Sequence, residues 1–399
     1  MNQRAKGVLI NLLLLGAPGG FIAVFFLIPV VSMLWLSVAN GDIGSLLRQT
    51  RSAAASWQGG SSLPDSKVAE ALIRDLQAAD QKGIDTLARK LNTIVPGFRS
   101  LIVNTKQKLA GFSADPGKSV AGLGDLDPRW TQPAFWLGLR RISGNPTDYY
   151  LLAALDFQHS GDGWMVEPTE TPLYLAVLWR TVVISAMVSA LCLGIGYPVA
   201  LWLNFLPESG ARIALLLILV PLWTSLLVRS LAWLILLEDK GLVNQLLLST
   251  GLLEHPLSLS RNRTGVLVSM THILLPFMIL SLYSVMRTIP AELMRAGLSL
   301  GASARYAMLR IYLPLSMPGV AAGVFVVFTL SLGYYITPLL IGGPADQMLS
   351  YFISIFVNQT VNWSMAAALS VILLALAMMM TLAIYRLVGI QAIMGHGGR

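Results

Sequence analysis

Apolar residues along this chain gather into long blocks instead of scattering evenly. A bilayer core about 30 Å thick takes about 20 apolar residues in a helix that rises about 1.5 Å per residue. Six blocks reach that length: 20–38, 173–205, 211–237, 265–286, 315–341 and 364–387. The first belongs to an uncharged run from residue 7, which the break Ala17-Pro18-Gly19-Gly20 divides into a short interfacial piece and a span. Arg4 and Lys6 ahead of the apolar run 8–15 imitate a cleaved signal peptide. Because the apolar character resumes at Phe21 for a full span, an uncleaved anchor is expected.

Residues 40–172 follow a different pattern. Segment 45–62 is small and polar and reads as a mobile approach. Apolar residues then recur at helical spacing over 68–79 and 84–94 (Val68, Leu72, Leu76; Ile84, Leu87, Leu91), and 98–109 continues the pattern. A Gly/Asp/Pro-rich loop over 111–128 precedes aromatic mass for a small core: Trp130, Phe135, Trp136, Tyr149, Tyr150 and Trp164. The expected fold class is an all-α membrane protein. It has six transmembrane helices and a large, mostly helical extracytoplasmic insertion between helices 1 and 2. The expected parts are 1–39 (N-terminus and first span), 40–172 (insertion), 173–390 (five-helix core with a loop at 288–314) and 391–399 (tail).

Composition narrows the class. Of 399 residues, 55% are hydrophobic and 12% charged, about half the charge of a soluble domain. A soluble enzyme and a disordered chain are both excluded. The single cysteine, Cys192, excludes an internal disulfide framework, and His159, His255, His272 and His396 share no metal-ligand spacing. The net charge of +8 traces to topology. Arg4, Lys6, Arg212, Arg287, Arg295, Arg305, Arg310, Arg386 and Arg399 flank one side of the spans, while the short loops opposite hold only Lys240, Arg261 and Arg263. Basic residues stay inside, so both termini are expected in the cytoplasm. The insertion carries 14 acidic and 14 basic residues and sums to zero, so no nucleic-acid partner is expected.

Two sequence matches to chemical motifs do not survive their physical requirements. Gly111 to Ser119 nearly spells a phosphate loop, but five residues rather than four separate Gly111 from Gly117, and no strand precedes. Gly297-Leu-Ser299-Leu-Gly301 matches a nucleophile elbow, yet only Asp346 and His396 follow, on opposite sides of the membrane. His272 within a span is expected to make a helix–helix hydrogen bond. Gly319-Val-Ala-Ala-Gly323 permits close helix approach. No carboxylate pair lies in the spans, which argues against a proton-coupled secondary transporter.

The most informative segment is the cytoplasmic loop at 288–314. It mixes apolar and basic residues at helical spacing, with Pro290 suited to a first turn and Gly301 able to adopt positive φ. A helix–glycine–helix elbow is expected, able to carry a push from a soluble protein to the flanking spans. An amphipathic helix lying on membrane lipid shares the same periodicity.

The loop reads Arg295-Ala296-Gly297-x3-Gly301-x9-Ile311-Tyr312-Leu313-Pro314. It resembles the EAA loop of ABC importer permeases, with Arg295 in place of the family's Glu and Gly297 in place of its second Ala. Leu193-Gly-Ile-Gly-Tyr-Pro-Val-Ala200, 220–229, 240–253, His272-Ile-Leu-Leu-Pro-Phe-Met278 and 331–338 are similar to the spermidine/putrescine-type subgroup. The resemblance covers about 173–390 and the first span. It implies a permease subunit, without catalysis, metal or cofactor of its own, that works in the inner membrane. Its partners would be a second, homologous permease, two ATPase subunits holding ATP and magnesium, and a periplasmic solute-binding protein. Arg295, Ala296, Gly297, Gly301, Ala302, Ile311, Leu313 and Pro314 would then couple to the ATPase. The subgroup implies a polyamine as solute; amino-acid derivatives, opines or other small solutes are the alternative.

Candidates for the solute path lie near the interrupted parts of the third and fifth spans: Trp223, Thr224, Ser225, Arg229, Thr329, Ser331, Tyr334, Tyr335 and Thr337. Arg229 is the sharpest, because a charge at mid-span costs at least about 2.5–3.5 kcal/mol and must face protein or water. It contacts solute, or it pairs with Glu238, Asp239 or carbonyls. Tyr334, Tyr335 and Trp223 offer faces to an organic cation. Arg180 is expected to snorkel to the outer interface.

Overall fold

The computed structural model describes residues 16, 18–55, 57, 62–92, 94–109, 120–143, 146–159, 166–169 and 172–394. The phosphate-loop imitation at 111–119, together with Arg4, Lys6, Trp164, His396 and Arg399, lies outside them. The chain divides into two compact units: 1–175 with 353–372, and 176–352 with 373–399.

The first unit begins with the span α1 (Pro18–Val38), whose side chains are almost wholly uncovered. Phe21, Phe25, Phe26 and Trp35 are each more than half exposed, as an apolar helix solvated by lipid requires. Helices α2 (Gly41–Leu46) and α3 (Arg48–Ala54) follow directly, where a mobile approach was expected. Their order has a physical cause in Asp75, whose buried carboxylate accepts from Thr50 N at 2.7 Å, Thr50 Oγ1 at 2.8 Å and Gln49 N at 3.3 Å. A small polar stretch is therefore held at its helix start by an acid 25 residues away, which no local pattern announces.

Helices α4 (Ser66–Ala78), α5 (Gln81–Asn92) and α6 (Phe98–Leu109) occupy the three periodic segments. Val68, Leu72, Leu76, Ile84, Leu87, Leu91, Leu101 and Ile102 are buried along their stripes. The short helix α7 (Val120–Leu126), a 3-10 turn at Pro128–Thr131 and α8 (Pro133–Ser143) bring in the aromatic core. The Trp130 and Trp136 rings lie 5.0 Å apart, tilted by 51°, and Phe98 meets Phe135 edge-on at 5.0 Å. Both indoles are satisfied: Trp130 Nε1 donates to Thr105 Oγ1 at 2.9 Å and Trp136 Nε1 to the Trp130 carbonyl at 2.7 Å.

Helix α9 (Tyr149–Ala154) leads to a short antiparallel pair, β1 (Phe157–His159) and β2 (Val166–Pro168), with Gln158 opposite Glu167. This hairpin is the one departure from helix among the described residues. Asp156, at φ 59°, turns the chain into it and spends its carboxylate on the next span's first turn, accepting from Tyr174 N at 2.9 Å and Leu175 N at 2.7 Å. Thr147 N donates to the Val38 carbonyl at 2.7 Å, and Ser364 Oγ to the Ala39 carbonyl at 3.1 Å. The end of α1, the insertion and residues 363–369 are therefore fastened together.

The second unit is built from α10 (Tyr174–Phe205) after its first two residues, α11 (Glu208–Leu219), α12 (Leu226–Leu237), α13 (Leu242–Ser249), α14 (Arg263–Met286), α15 (Ala291–Ser299), α16 (Ala304–Ala307), α17 (Leu313–Gly333), α18 (Ile336–Ile341), the start of α19 (Leu349–Asn358) and the later part of α20 (Trp363–Met394). Among the described residues five helical segments are long and apolar enough to cross a bilayer unbroken: Pro18–Val38, Tyr174–Phe205, Arg263–Met286, Ala304–Gly333 and Trp363–Ala383. The block 211–237 is not one helix: Glu208–Trp223 and Leu226–Ser249 meet at 94°. Pro221 withholds an N–H and Thr224 turns extended, so the regular ladder stops there. The block 315–341 is likewise divided, since α17 ends at Gly333 and α18 starts at Ile336.

At the centre of this unit α14 packs along α17. A Cβ on Gly319 would sit 3.0 Å from Val285 Cβ and 3.3 Å from the Ser281 carbonyl oxygen, so this approach requires glycine. Met270, Leu274, Met278 and Leu282 of α14 close a core with Ile184, Val188 and Val327. Loops are pinned by buried polar groups. Asn244 donates to the Glu238 and Leu257 carbonyls and accepts from Leu257 N, and Asp346 accepts from Arg263 Nε at 3.2 Å and Gly343 N at 3.1 Å. Arg180 does not simply snorkel: its Nη1 donates to the Gln347 carbonyl at 3.1 Å.

Candidate functional site: an elbow and a double chain break

The elbow forms because each half of 288–314 has its own start and stop signals. Pro290 caps α15 in extended backbone, and Glu292 stands in the first turn, where a negative charge opposes the helix dipole favourably. Gly301 ends the helix at φ 88°, with Ala302 N reaching back to the Gly297 carbonyl at 3.1 Å. Ser303 then caps the next turn by accepting from Tyr306 N at 3.3 Å. A π-turn at Met308–Tyr312 carries the chain into α17, so Ile311 lies in the π-turn and Leu313 and Pro314 form the first turn of the helix.

Gly297 sets the closeness of the two arms. A Cβ there would lie 2.6 Å from Ile311 Cδ1. Arg295 and Glu292 form a solvated pair at 3.5 Å, with both side chains 74% exposed. The elbow also presents apolar residues outward, since Leu300 is 89% exposed and Leu293, Leu298, Tyr306 and Leu309 are exposed with it. Arg295, Arg305 and Arg310 are exposed on the same segment, so the elbow presents apolar and cationic groups together.

The second locus is where the chain breaks twice. Ser225 stands at the N-cap of α12 with no side-chain capping bond, and Thr224 turns its hydroxyl back to the Pro221 carbonyl at 2.7 Å. Trp223 is 79% exposed, and Thr224 and Ser225 are exposed beside it. The other break runs from Gly333 through Tyr334 and Tyr335 to α18. One hydrogen bond ties the two breaks together: Ser230 and Thr337, both fully buried, meet at 3.0 Å through their hydroxyls.

Arg229, the next residue before Ser230 on α12, lies within electrostatic reach of both His272 and Tyr334. Its Nε and Nη1 are buried and have no acceptor among the described residues, so neither Glu238, Asp239 nor a carbonyl takes them. Thr329 Oγ1 and Ser331 Oγ are buried without partners as well. His272 makes the interhelical bond expected of it, accepting at Nδ1 from Trp233 Nε1 at 3.1 Å. The structure thus brings Thr337 against Ser230 and sets Arg229 within electrostatic reach of Tyr334. Tyr335 stands half-buried between Tyr334 and α18, and Trp223 stays outside the buried cluster. Ser230, Trp233 and Ser350, whose Oγ donates to the Tyr334 carbonyl at 2.6 Å, were missed by sequence reasoning. For Ser230 a signal existed, a buried-type hydroxyl in the apolar run of α12.

Residues 193–394 match the family described as binding-protein-dependent transport system inner membrane component. The spermidine/putrescine transport system permease protein PotB of Salmonella typhimurium (strain SL1344) is 33% identical over 215 residues, covering 54% of this chain and 75% of that protein. PotB of Escherichia coli (strain K12) is also 33% identical, over 54% of this chain and 78% of its own length. Among solved structures, a bacterial alginate ABC transporter in complex with alginate pentasaccharide-bound periplasmic protein aligns over 54% of this chain and 78% of its own. Its TM-score is 0.45 at 18% identity.

Proposed function

Because this chain belongs to the binding-protein-dependent transport system inner membrane components, we propose that it forms half of a solute path gated by a soluble ATPase through the Gly301 elbow. The observation that carries the reading is the family match over 193–394, a stretch that includes both the elbow and the double break.

In this reading the elbow enters a groove of one ATPase subunit with Leu300 and its apolar neighbours. Arg295, Ala296, Gly297, Gly301, Ala302, Ile311, Leu313 and Pro314 hold the shape that transmits its motion to α14 and α17. A second, homologous permease completes the path, two ATPase subunits bind ATP and magnesium, and a periplasmic binding protein delivers the solute. Both termini lie in the cytoplasm and residues 40–172 outside. Relatives named for spermidine and putrescine point to an amine-bearing solute. Arg229, Thr329, Ser331, Tyr334, Tyr335 and Thr337, with Trp223, Thr224 and Ser225 at its edge, line its route.

Mechanically, ATP drives the ATPase pair together and the elbows follow. For this to move solute, the inward- and outward-open states must differ by only a few kcal/mol, so that nucleotide and loaded binding protein can each tip the balance.

The test uses Gly301→Pro. Proline fixes φ near −65°, against 88° in the elbow, so the reversal cannot form. The variant is expected to insert at ordinary levels, to lose co-purification of the ATPase, and to lose uptake at least tenfold. Full uptake with no ATPase bound to the unaltered chain would overturn the reading.

A further inference from the structure

Cationic side chains are not spread evenly over the insertion. It carries 14 acidic and 14 basic residues and is neutral as a whole, yet three arginines meet in one groove with a volume of about 510 Å³. Arg48 and Arg51 come from α3 and Arg140 from α8, and no carboxylate is among the described residues that line the groove. The spacing of Arg48 and Arg51 sets two like charges side by side on one helix face, which is unfavourable unless an anion answers them. Gly44, Ser52 and Ala55 complete the wall, so small side chains keep the space between the guanidinium groups open. Arg140 is positioned from behind by the Trp57 ring, whose centroid lies 5.8 Å from its guanidinium carbon. Trp57 is itself buried, and its Nε1 has no acceptor among the described residues. A guanidinium carries five N–H donors in a planar fork, so one partner within the insertion does not exhaust it. The groove therefore offers donors and positive charge, and suits an anion with several acceptor oxygens.

We propose that Arg48, Arg51 and Arg140 hold the phosphate of an anionic phospholipid headgroup and so moor the insertion to the bilayer surface. The place of the groove in the chain selects the lipid. Only Ala39 and Asn40 separate the end of α1 from the start of α2, so Gly44 lies at most about 15 Å from the end of the span. The headgroup layer itself extends about 5–7 Å beyond the hydrocarbon core, and long arginine side chains reach toward it. A groove tethered there meets lipid phosphates at a far higher effective concentration than any phosphate in free solution. A headgroup with net negative charge is preferred, because the groove has no acid to face the ammonium of a zwitterionic one. The inference needs only that α1 lies in lipid, and stands apart from the importer reading.

The test follows hydrogen exchange over 44–55 in the full-length chain, in nanodiscs of phosphatidylcholine alone and in nanodiscs that also hold phosphatidylglycerol. Phosphatidylglycerol is expected to slow exchange there at least fivefold, while inorganic phosphate added to the phosphatidylcholine discs leaves it unchanged. The joint variant Arg48→Gln with Arg51→Gln should lose the difference between the discs, and Arg48→Lys with Arg51→Lys should keep part of it. Both arginines are exposed, so neither change opens the core of the insertion. Ser52→Glu keeps every arginine and puts a carboxylate into the groove, and it is expected to remove the difference as well. Equal exchange in the two discs would overturn the proposal and leave the groove to an acidic protein surface. Slowing by inorganic phosphate as strong as that by phosphatidylglycerol would overturn it too, as would a full difference in the glutamine variant or in Ser52→Glu.

Discussion

The insertion and the α14–α17 contact reach close packing by opposite means. Residues 66–143 fill space with large side chains: Trp130, Trp136, Phe98, Leu72 and Leu87 are all 1% exposed or less. The helix pair empties it, with Gly319 and Gly323 where a side chain would collide. Water explains the first, since burying apolar surface is favourable only relative to an aqueous alternative. In lipid that gain vanishes, and association depends on how closely backbones approach. The same contrast appears on the surfaces, because α1 exposes Phe25 and Phe26 while α4 exposes its charged face.

This contrast can be broken in three places. The largest effect is expected from Trp130→Ala, which removes the centre of the aromatic cluster and leaves Thr105 Oγ1 and its neighbours around a void. A loss of about 3–5 kcal/mol should appear as early thermal unfolding or proteolysis confined to 40–172, with the spans still inserted. Next comes Gly319→Leu. Its side chain must displace Val285 and the α14 backbone, at about 1–3 kcal/mol of overpacking. The expected result is loss of uptake with an intact insertion; normal uptake would show that the two helices do not need this approach.

The smallest effect is a pH dependence within the insertion. Arg129 donates to Asp127 at 2.7 Å and 2.9 Å, and that bond holds the Asp127 carboxyl below its ordinary value. The folded state therefore prefers the carboxylate more than the unfolded chain does. The pair's contribution is complete above the ordinary carboxylate value and disappears as pH falls through the lowered one. Acid unfolding of the insertion followed by circular dichroism should lose this component in Asp127→Asn. An unchanged acid limb would remove the pair from the account.

Legibility followed the range of the forces involved. Amphipathic stripes in α4, α5 and α6 and the apolar blocks of the spans are local patterns, so their positions could be read directly. Gly301 was legible for the same reason, because a reversal between two helices needs φ above zero wherever the rest of the chain goes. The helices at 41–54 were not, since Asp75 reaches them across 25 residues. The hairpin at 157–168 depends on Asp156 joining it to the start of α10, again a distant pairing. At the double break, Pro221 and Gly333 marked where the helices stop, but nothing local gave the 94° turn or the Ser230–Thr337 bond that draws the stops together.

By itself, then, the sequence determined that this chain crosses a membrane repeatedly, carries one water-type insertion and bends at Gly301. Hydropathy, periodicity and backbone freedom are properties of neighbouring residues. Only the tertiary structure decided that Arg229 Nε and Nη1 would be buried without an acceptor among the described residues. Whether a charge has a partner depends on what the fold brings within about 3 Å of it, and that distance is not written in the order of the residues.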